Sequence, residues 1–240
     1  MIHYKKSYLL LLSCIFAVFI VSCECVVNID TDRIITPSQY AQVLFINANS
    51  GFEQLKIFTG SDGFIMNSYF SEDIFNYKDV LPGTQNFYIK TNNDSLLFNG
   101  LTEMDRGAPY TFIAYGNKSR VQGILLSDTI ENYSPNNAYF RCINLGNETP
   151  YVMFRITGSY PIQQIKPYRT FSKYTPTYNG RYNIDILDAT TDSLMLSYRN
   201  KELTAGKIYS LILRGDFKGT GMQKMDLQLV ESDYYPNKSK

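Results

Sequence analysis

One stretch of the chain says nearly the same thing twice, and that limits the fold more than any other feature. Ala41 to Gly60 reads AQVLFINANSGFEQLKIFTG, and Ala138 to Gly158 reads AYFRCINLGNETPYVMFRITG. Each copy opens with an alternating strand ending in Ile-Asn, crosses a polar turn and enters a second strand ending in Thr-Gly. A true duplication keeps its offset while loops absorb insertions. Ala41 and Ala138, Asn47 and Asn144, Tyr77 and Tyr174, Gly83 and Gly180, and Phe87 and Ile184 are each 97 residues apart. Asp94-Ser95-Leu96 recurs as Asp192-Ser193-Leu194 at an offset of 98, and Gly107-x-x-Tyr110 recurs as Gly206-x-x-Tyr209 at 99. The chain therefore reads as two tandem copies of one unit, residues 40–130 and 137–233, with a tail at 234–240.

Within each copy, period-two alternation dominates and amphipathic helical stretches are missing. Tyr110, Phe112 and Ala114 share one face of a strand, with Ile113 and Tyr115 on the other. Apolar residues on both faces mark a central strand, covered on each side. Gly83, Gly107, Gly180 and Gly206 each stand just before a strand, where a turn needs backbone angles closed to other residues. Several short strands spaced by turns over about 95 residues predict an all-β chain, with one immunoglobulin-like or transthyretin-like β-sandwich per repeat. The junction falls at Asp128 to Asn137, DTIENYSPNN, whose Ser-Pro-Asn-Asn marks a linker.

The first 22 residues read as a processing signal. Lys5 and Lys6 supply positive charge, and Tyr8 to Val21 is an apolar run of 14 residues, short of the roughly 20 needed to span a bilayer as a helix. The run ends in Ile20-Val21-Ser22-Cys23, which resembles the lipobox of bacterial lipoproteins. That resemblance implies cleavage before Cys23 and a diacylglyceryl group on its thiol, hence an outer-membrane lipoprotein on the periplasmic or cell-surface face. Residues 23–39 then form a tether. Cys14 leaves with the signal, so Cys25 and Cys142 remain as thiols; Cys142 is in phase with inward residues and reads as a buried hydrophobe rather than half of a disulfide.

The opening strand ending in Ile-Asn and the turn before Phe87 and Ile184 recur in a known family, as does the Gly-x-x-Tyr-(Thr/Ser) strand near each end. Together they resemble the tandem repeats of domain of unknown function family 4397, over residues 40 to 232. The resemblance implies a β-sandwich repeat in a secreted or lipid-anchored envelope protein, with no catalytic residues to carry over.

Chemistry is mostly absent. The single His is His3, inside the signal, so the mature chain has no imidazole for a nucleophilic pair or for zinc. Glu103 with Asp105, or Asp185 with Asp188, are the conceivable carboxylate pairs for hydrolysis, but they sit at turns or strand edges and read as surface acids. Asp188-Ala-Thr-Thr-Asp192 lacks the alternating oxygen ligands of a calcium loop. No cofactor and no metal is expected, and a net charge of +1 gives no argument for nucleic acid.

The most distinctive stretch is Ser159 to Tyr182. It holds five tyrosines (160, 168, 174, 178 and 182), Phe171, four basic residues (Lys166, Arg169, Lys173 and Arg181) and no acid. Tyr rings beside Arg and Lys can stack on sugar faces or cap anionic groups. Tyr168, Arg169, Lys173, Tyr174 and Arg181 are thus the candidate ligand-binding residues. The competing reading is packing, because Ser61 to Gly83 of the first copy is aromatic too. That segment is acidic where the second is basic, a difference the common fold does not require. Trp, a favoured sugar platform, is absent. The chain reads as a non-catalytic, lipid-anchored envelope protein, a binding or adhesion module for a glycan or an envelope protein; the alternative is a structural subunit of an envelope assembly.

Overall fold

The computed structural model describes residues 39–60, 63–69, 76–147, 149, 151–159 and 161–233. The signal segment, Cys23, the tether up to residue 38 and the 234–240 tail lie outside the described residues.

Among the described residues, seventeen strands carry almost all the regular structure. The first eight are β1 (Ala41–Asn47), β2 (Gln54–Thr59), β3 (Gly63–Tyr69), β4 (Lys78–Val80), β5 (Gly83–Lys90), β6 (Leu96–Met104), β7 (Pro109–Asn117) and β8 (Arg120–Ser127). They form an inner sheet ordered β4-β1-β7-β8 and an outer sheet ordered β3-β2-β5-β6. The rest are β9 (Ala138–Asn144), β10 (Tyr151–Thr157), β11 (Ile162–Pro167), β12 (Thr170–Phe171), β13 (Thr175–Thr177), β14 (Gly180–Asp188), β15 (Leu194–Leu203), β16 (Lys207–Arg214) and β17 (Asp226–Asp233). They repeat the plan, with β12 and β13 sharing the place of β4: the inner sheet is β12-β9-β16-β17 with β13 also on β9, and the outer one is β11-β10-β14-β15. In both copies the first strand pairs parallel with the seventh, β1 on β7 and β9 on β16. An immunoglobulin constant-type sandwich places its first strand beside its second. Here β1 lies between β4 and β7, so of the two expected types the transthyretin-like one fits.

The described residues form one compact unit, and the burial pattern shows how it is layered. Val43, Phe45, Phe87 and Phe112 lie in the core between the first pair of sheets. Phe140, Cys142, Phe154 and Leu211 lie in the core between the second pair. A third core joins the two inner sheets back to back, with Leu44, Ile46, Ile113 and Tyr115 facing Ile143, Leu145, Ile212 and Val230. The result is four stacked sheets. The central strands are apolar on both faces because each face is covered.

The recurrent motifs have structural causes. Asn47 is fully buried and its amide donates to the Phe52 and Ser68 carbonyls while its Oδ1 accepts from the Asn49 N–H. Asn144 does the same work, donating to the Lys166 carbonyl and accepting from the Gly146 N–H. Ile-Asn therefore ends a strand because a buried amide must satisfy the loop that follows. In Gly-x-x-Tyr, Gly107 and Gly206 adopt φ of 73° and 83°. The Tyr110 and Tyr209 hydroxyls each accept a 2.9 Å hydrogen bond from a backbone N–H five residues upstream, at Asp105 and Thr204. Both are tyrosine corners. Tyr110→Phe or Tyr209→Phe is expected to cost about 1 kcal/mol each, read as a lower urea midpoint with unchanged slope.

One expectation is corrected. Thr59-Gly60 and Thr157-Gly158 are not equivalent positions: Thr59 pairs with Phe87 and Ile156 with Ile184, which keeps the offset at 97 through these strands. Asp128, the first residue of the junction, is fully buried.

Candidate functional site

The buried Asp128 is the first piece of the site. It leaves the end of β8, with its N–H donating to the Pro109 carbonyl at 2.9 Å, and its carboxylate points into the seam between the inner sheets. There Arg141 of β9 meets it, Nη1 to Oδ1 at 2.7 Å, with the two side chains 2% and 0% exposed. Thr111 Oγ1 and the Tyr77 hydroxyl each donate to Asp128 Oδ2 at 2.6 Å. Burial, and then the adjacent carboxylate, hold the Tyr77 phenol well above its ordinary pKa, so it stays a neutral donor. Arg141 Nε donates to Ser210 Oγ at 2.9 Å, and its guanidinium lies over the Tyr174 ring at 4.6 Å. A charge in this setting is tolerated only with its partners in place. The cluster takes Tyr77, Thr111 and Asp128 from the first copy and Arg141, Tyr174 and Ser210 from the second.

Above this cluster the two copies leave a groove of about 760 Å³. One wall is the end of β8 and the junction, from Leu125 to Asn132; the other is the β12–β13 strap, with Phe171, Ser172, Lys173, Tyr174 and Pro176. Asn137 and Pro176 also line a smaller adjoining cavity of about 230 Å³ that ends at Tyr178. The junction wall is tied down: Tyr133 stacks on Tyr139 with centroids 5.4 Å apart, donates to the Gly206 carbonyl at 3.0 Å, and Ser134 N–H donates to the Tyr139 hydroxyl at 2.7 Å. Phe171 and Tyr178 are 47% and 63% exposed. Lys173 and Glu131 approach to 3.5 Å across the mouth, an exposed pair that adds little stability. The strap edge does not invite another strand, since its strands are two and three residues long, with Pro176 in the second and Lys173 between them.

The five candidate residues separate into three places. Lys173 and Tyr174 line the groove. Tyr168 and Arg169 lie at the turn between β11 and β12, where the Arg169 guanidinium is 6.0 Å from the Tyr115 ring of the first copy. Arg181 is exposed on β14, opposite Glu202 of β15. Of the other tyrosines in that stretch, Tyr182 is core and Tyr178 is exposed, while Tyr160 is outside the described residues. Sequence reading missed Asp128, Arg141 and Phe171 as parts of one site. A signal existed for Arg141, a charged residue in the phase of Leu44 in a strand otherwise apolar on both faces.

A second cavity of about 410 Å³ opens between β15 and β17. Tyr198 lines it and donates to Asp226, and burial followed by that bond pushes its phenol up to about 12. Of the two carboxylate pairs considered for hydrolysis, the second has local partners: Asp185 accepts from Ser197 Oγ and pairs with Arg199, and Asp188 accepts from the Thr190 and Thr191 N–H groups. Among the described residues no cluster of three or more His, Cys, Asp or Glu side chains could hold a metal ion.

No family model matches the chain, and no curated protein matches it. Among solved structures, the chain is similar to a candidate adhesin from Bacteroides ovatus, at 10% identity and a TM-score of 0.25, covering 84% of this chain and 96% of that one. It is also similar to a leucine-rich repeat protein from Bacteroides thetaiotaomicron, at 12% identity and a TM-score of 0.20, covering 77% of this chain and 27% of that one. Likeness at these scores carries no argument about function.

Proposed function

We propose that this chain is a non-catalytic binding or adhesion module of the cell envelope, anchored through a lipid on Cys23, and that its ligand lies in the groove at the junction of the two sandwiches. The observation that carries this reading is the composition of the groove. Its two walls come from different copies, are fixed by a buried ion pair, and present Phe171 and Tyr174, with Tyr178 in the adjoining cavity, beside hydroxyls and amides rather than closing over them. Concave surfaces with an apolar lining and a few fixed polar groups are where ligands bind. The aromatic rings and the balance of one lysine against one glutamate favour an uncharged glycan.

The test is a glycan array probed with the full chain and with Phe171→Ala and Tyr178→Ala. Truncating an aromatic anchor costs on the order of 2 kcal/mol, so each change is expected to weaken a true ligand about thirtyfold. Equal binding by all three proteins would remove the groove from the reading.

A second reading, a structural subunit of an envelope assembly, rests on the solvent face of the second outer sheet. Ile165, Met153, Leu187 and Leu194 lie side by side across β11, β10, β14 and β15; Ile165 and Leu194 are 57% and 59% exposed, while Met153 is half-buried and Leu187 is buried. Site-specific photocrosslinking in intact cells from position 165 would trap a defined protein neighbour under this reading, and none under the first.

A further inference from the structure

The hairpin connection between β16 and β17 is longer than its counterpart. Six residues separate the paired Tyr115 and Gln122 in the first copy, and eleven separate the paired Arg214 and Asp226 in the second. The common fold does not need the extra five. The longer loop is tied by its own backbone: Asp216 N–H donates to the Gln223 carbonyl at 2.8 Å, Gly219 N–H to the Asp216 carbonyl at 2.9 Å, and Met225 N–H to the Asp216 carbonyl at 3.1 Å. So braced, it holds two apolar side chains out, Phe217 at 50% and Met222 at 41% exposure.

The surroundings of this loop are basic. Lys218 and Lys224 belong to it, Lys118 and Arg120 come from the neighbouring β7–β8 turn, and Arg169 from the β11–β12 turn; all five are exposed. The cations of the other copy are brought near through the seam. Arg169 stands over Tyr115, and the charges acting on the Tyr168 hydroxyl are Arg169, Arg120 and Asp216. Among the described residues none of the five cations makes an ion pair. Among the described residues the acids here are Asp216, half-buried at the base of the loop, and Asp226 at its end, which pairs with Arg214.

We propose that this end of the seam is a docking surface for an anionic lipid bilayer, with Phe217 and Met222 entering the headgroup layer and the five cations facing lipid phosphates. Unpaired cations alone would suit any polyanion. Apolar side chains held out by a braced loop within a basic ring favour a bilayer, because only there does their exposure become burial.

The experiment is hydrogen exchange on the full chain carrying Cys23→Ser, so that no acyl chain brings it to the membrane. Vesicles are phosphatidylcholine alone or phosphatidylcholine with about a third phosphatidylglycerol; because Lys5 and Lys6 beside the apolar N-terminal run also favour the anionic vesicles, the readout is local protection of residues 216–224 and its loss in the variants, not total binding. Protection of residues 216–224 is expected with the anionic vesicles only. Each cation removed from Lys118, Arg169 and Lys218 is expected to lower the partition coefficient about fivefold, and Phe217→Ser with Met222→Ser about tenfold or more. Unchanged exchange in β16 and β17 shows that the variants fold. Equal exchange with both vesicle types overturns the proposal. Protection by a soluble sulfated polysaccharide, with none on vesicles, overturns it in favour of a polyanionic glycan.

Discussion

Arg141→Leu is expected to destabilise the chain by about 3–5 kcal/mol, although it installs the side-chain type that Leu44 carries at the equivalent position. The leucine is apolar and fits the phase of the strand. What it removes is the cation facing Asp128, whose carboxylate stays fully buried with only the Tyr77 and Thr111 hydroxyls to solvate it. Taking Asp128 away as well, in Arg141→Leu with Asp128→Ala, is expected to cost less than the two single changes added together. Urea midpoints of the four proteins read the coupling. A single variant within about 0.5 kcal/mol of the parent would mean that the pair does not hold the seam.

Phe112→Ala is expected to be as damaging, about 3–5 kcal/mol, through lost burial and the cavity left behind. Phe112 stacks on Phe87 with centroids 4.6 Å apart and touches Phe45 and Phe98 at 6.0 and 6.5 Å. No neighbour can collapse into its place without giving up one of these contacts. Because the two sandwiches share a third core, the loss is expected to shift one cooperative transition monitored by circular dichroism. Two separated transitions would show instead that the seam is too weak to couple the halves.

The repeat, the strands apolar on both faces and the inward thiol of Cys142 were legible, because alternation reports directly which faces are covered. Cys142 is indeed fully buried and unpaired. The reason for Ile-Asn was not legible, since a buried amide and a solvated one look alike in sequence. Nor was the exchange of volume between the two cores. The first fills its centre with Phe45, Phe87 and Phe112, where the second has Cys142, Ile184 and Leu211. The second recovers bulk with Phe140, Phe154 and Tyr182, where the first has Val43, Ile57 and Gln85. Packing conserves total volume rather than residue type, so positions that matter equally look unrelated. The site was read as one basic aromatic patch because its residues are close in sequence. The strap that carries them runs along a sheet edge, and this spreads Tyr168 and Arg169 away from Lys173 and Tyr174. Asp128 read as linker because a polar residue after a strand usually meets water, and here its partner lies in the other copy.

The parallel pairing of β1 with β7, and of β9 with β16, sets a timetable. Gln42 finds its partner Pro109, and Tyr139 finds Ile208, only after more than sixty further residues have been made. A chain emerging from its amino end must therefore carry β1, apolar on both sides, without a hydrogen-bonded neighbour on its β7 flank for most of the synthesis of the first repeat. The same wait recurs in the second repeat, and the seam cannot form until both have ended. Long-range pairings of this kind form slowly and leave sticky strands exposed meanwhile. Newborn copies of this chain are thus most vulnerable to clumping just before residue 109 and again just before residue 208, which are the two moments when a holding chaperone would do most good.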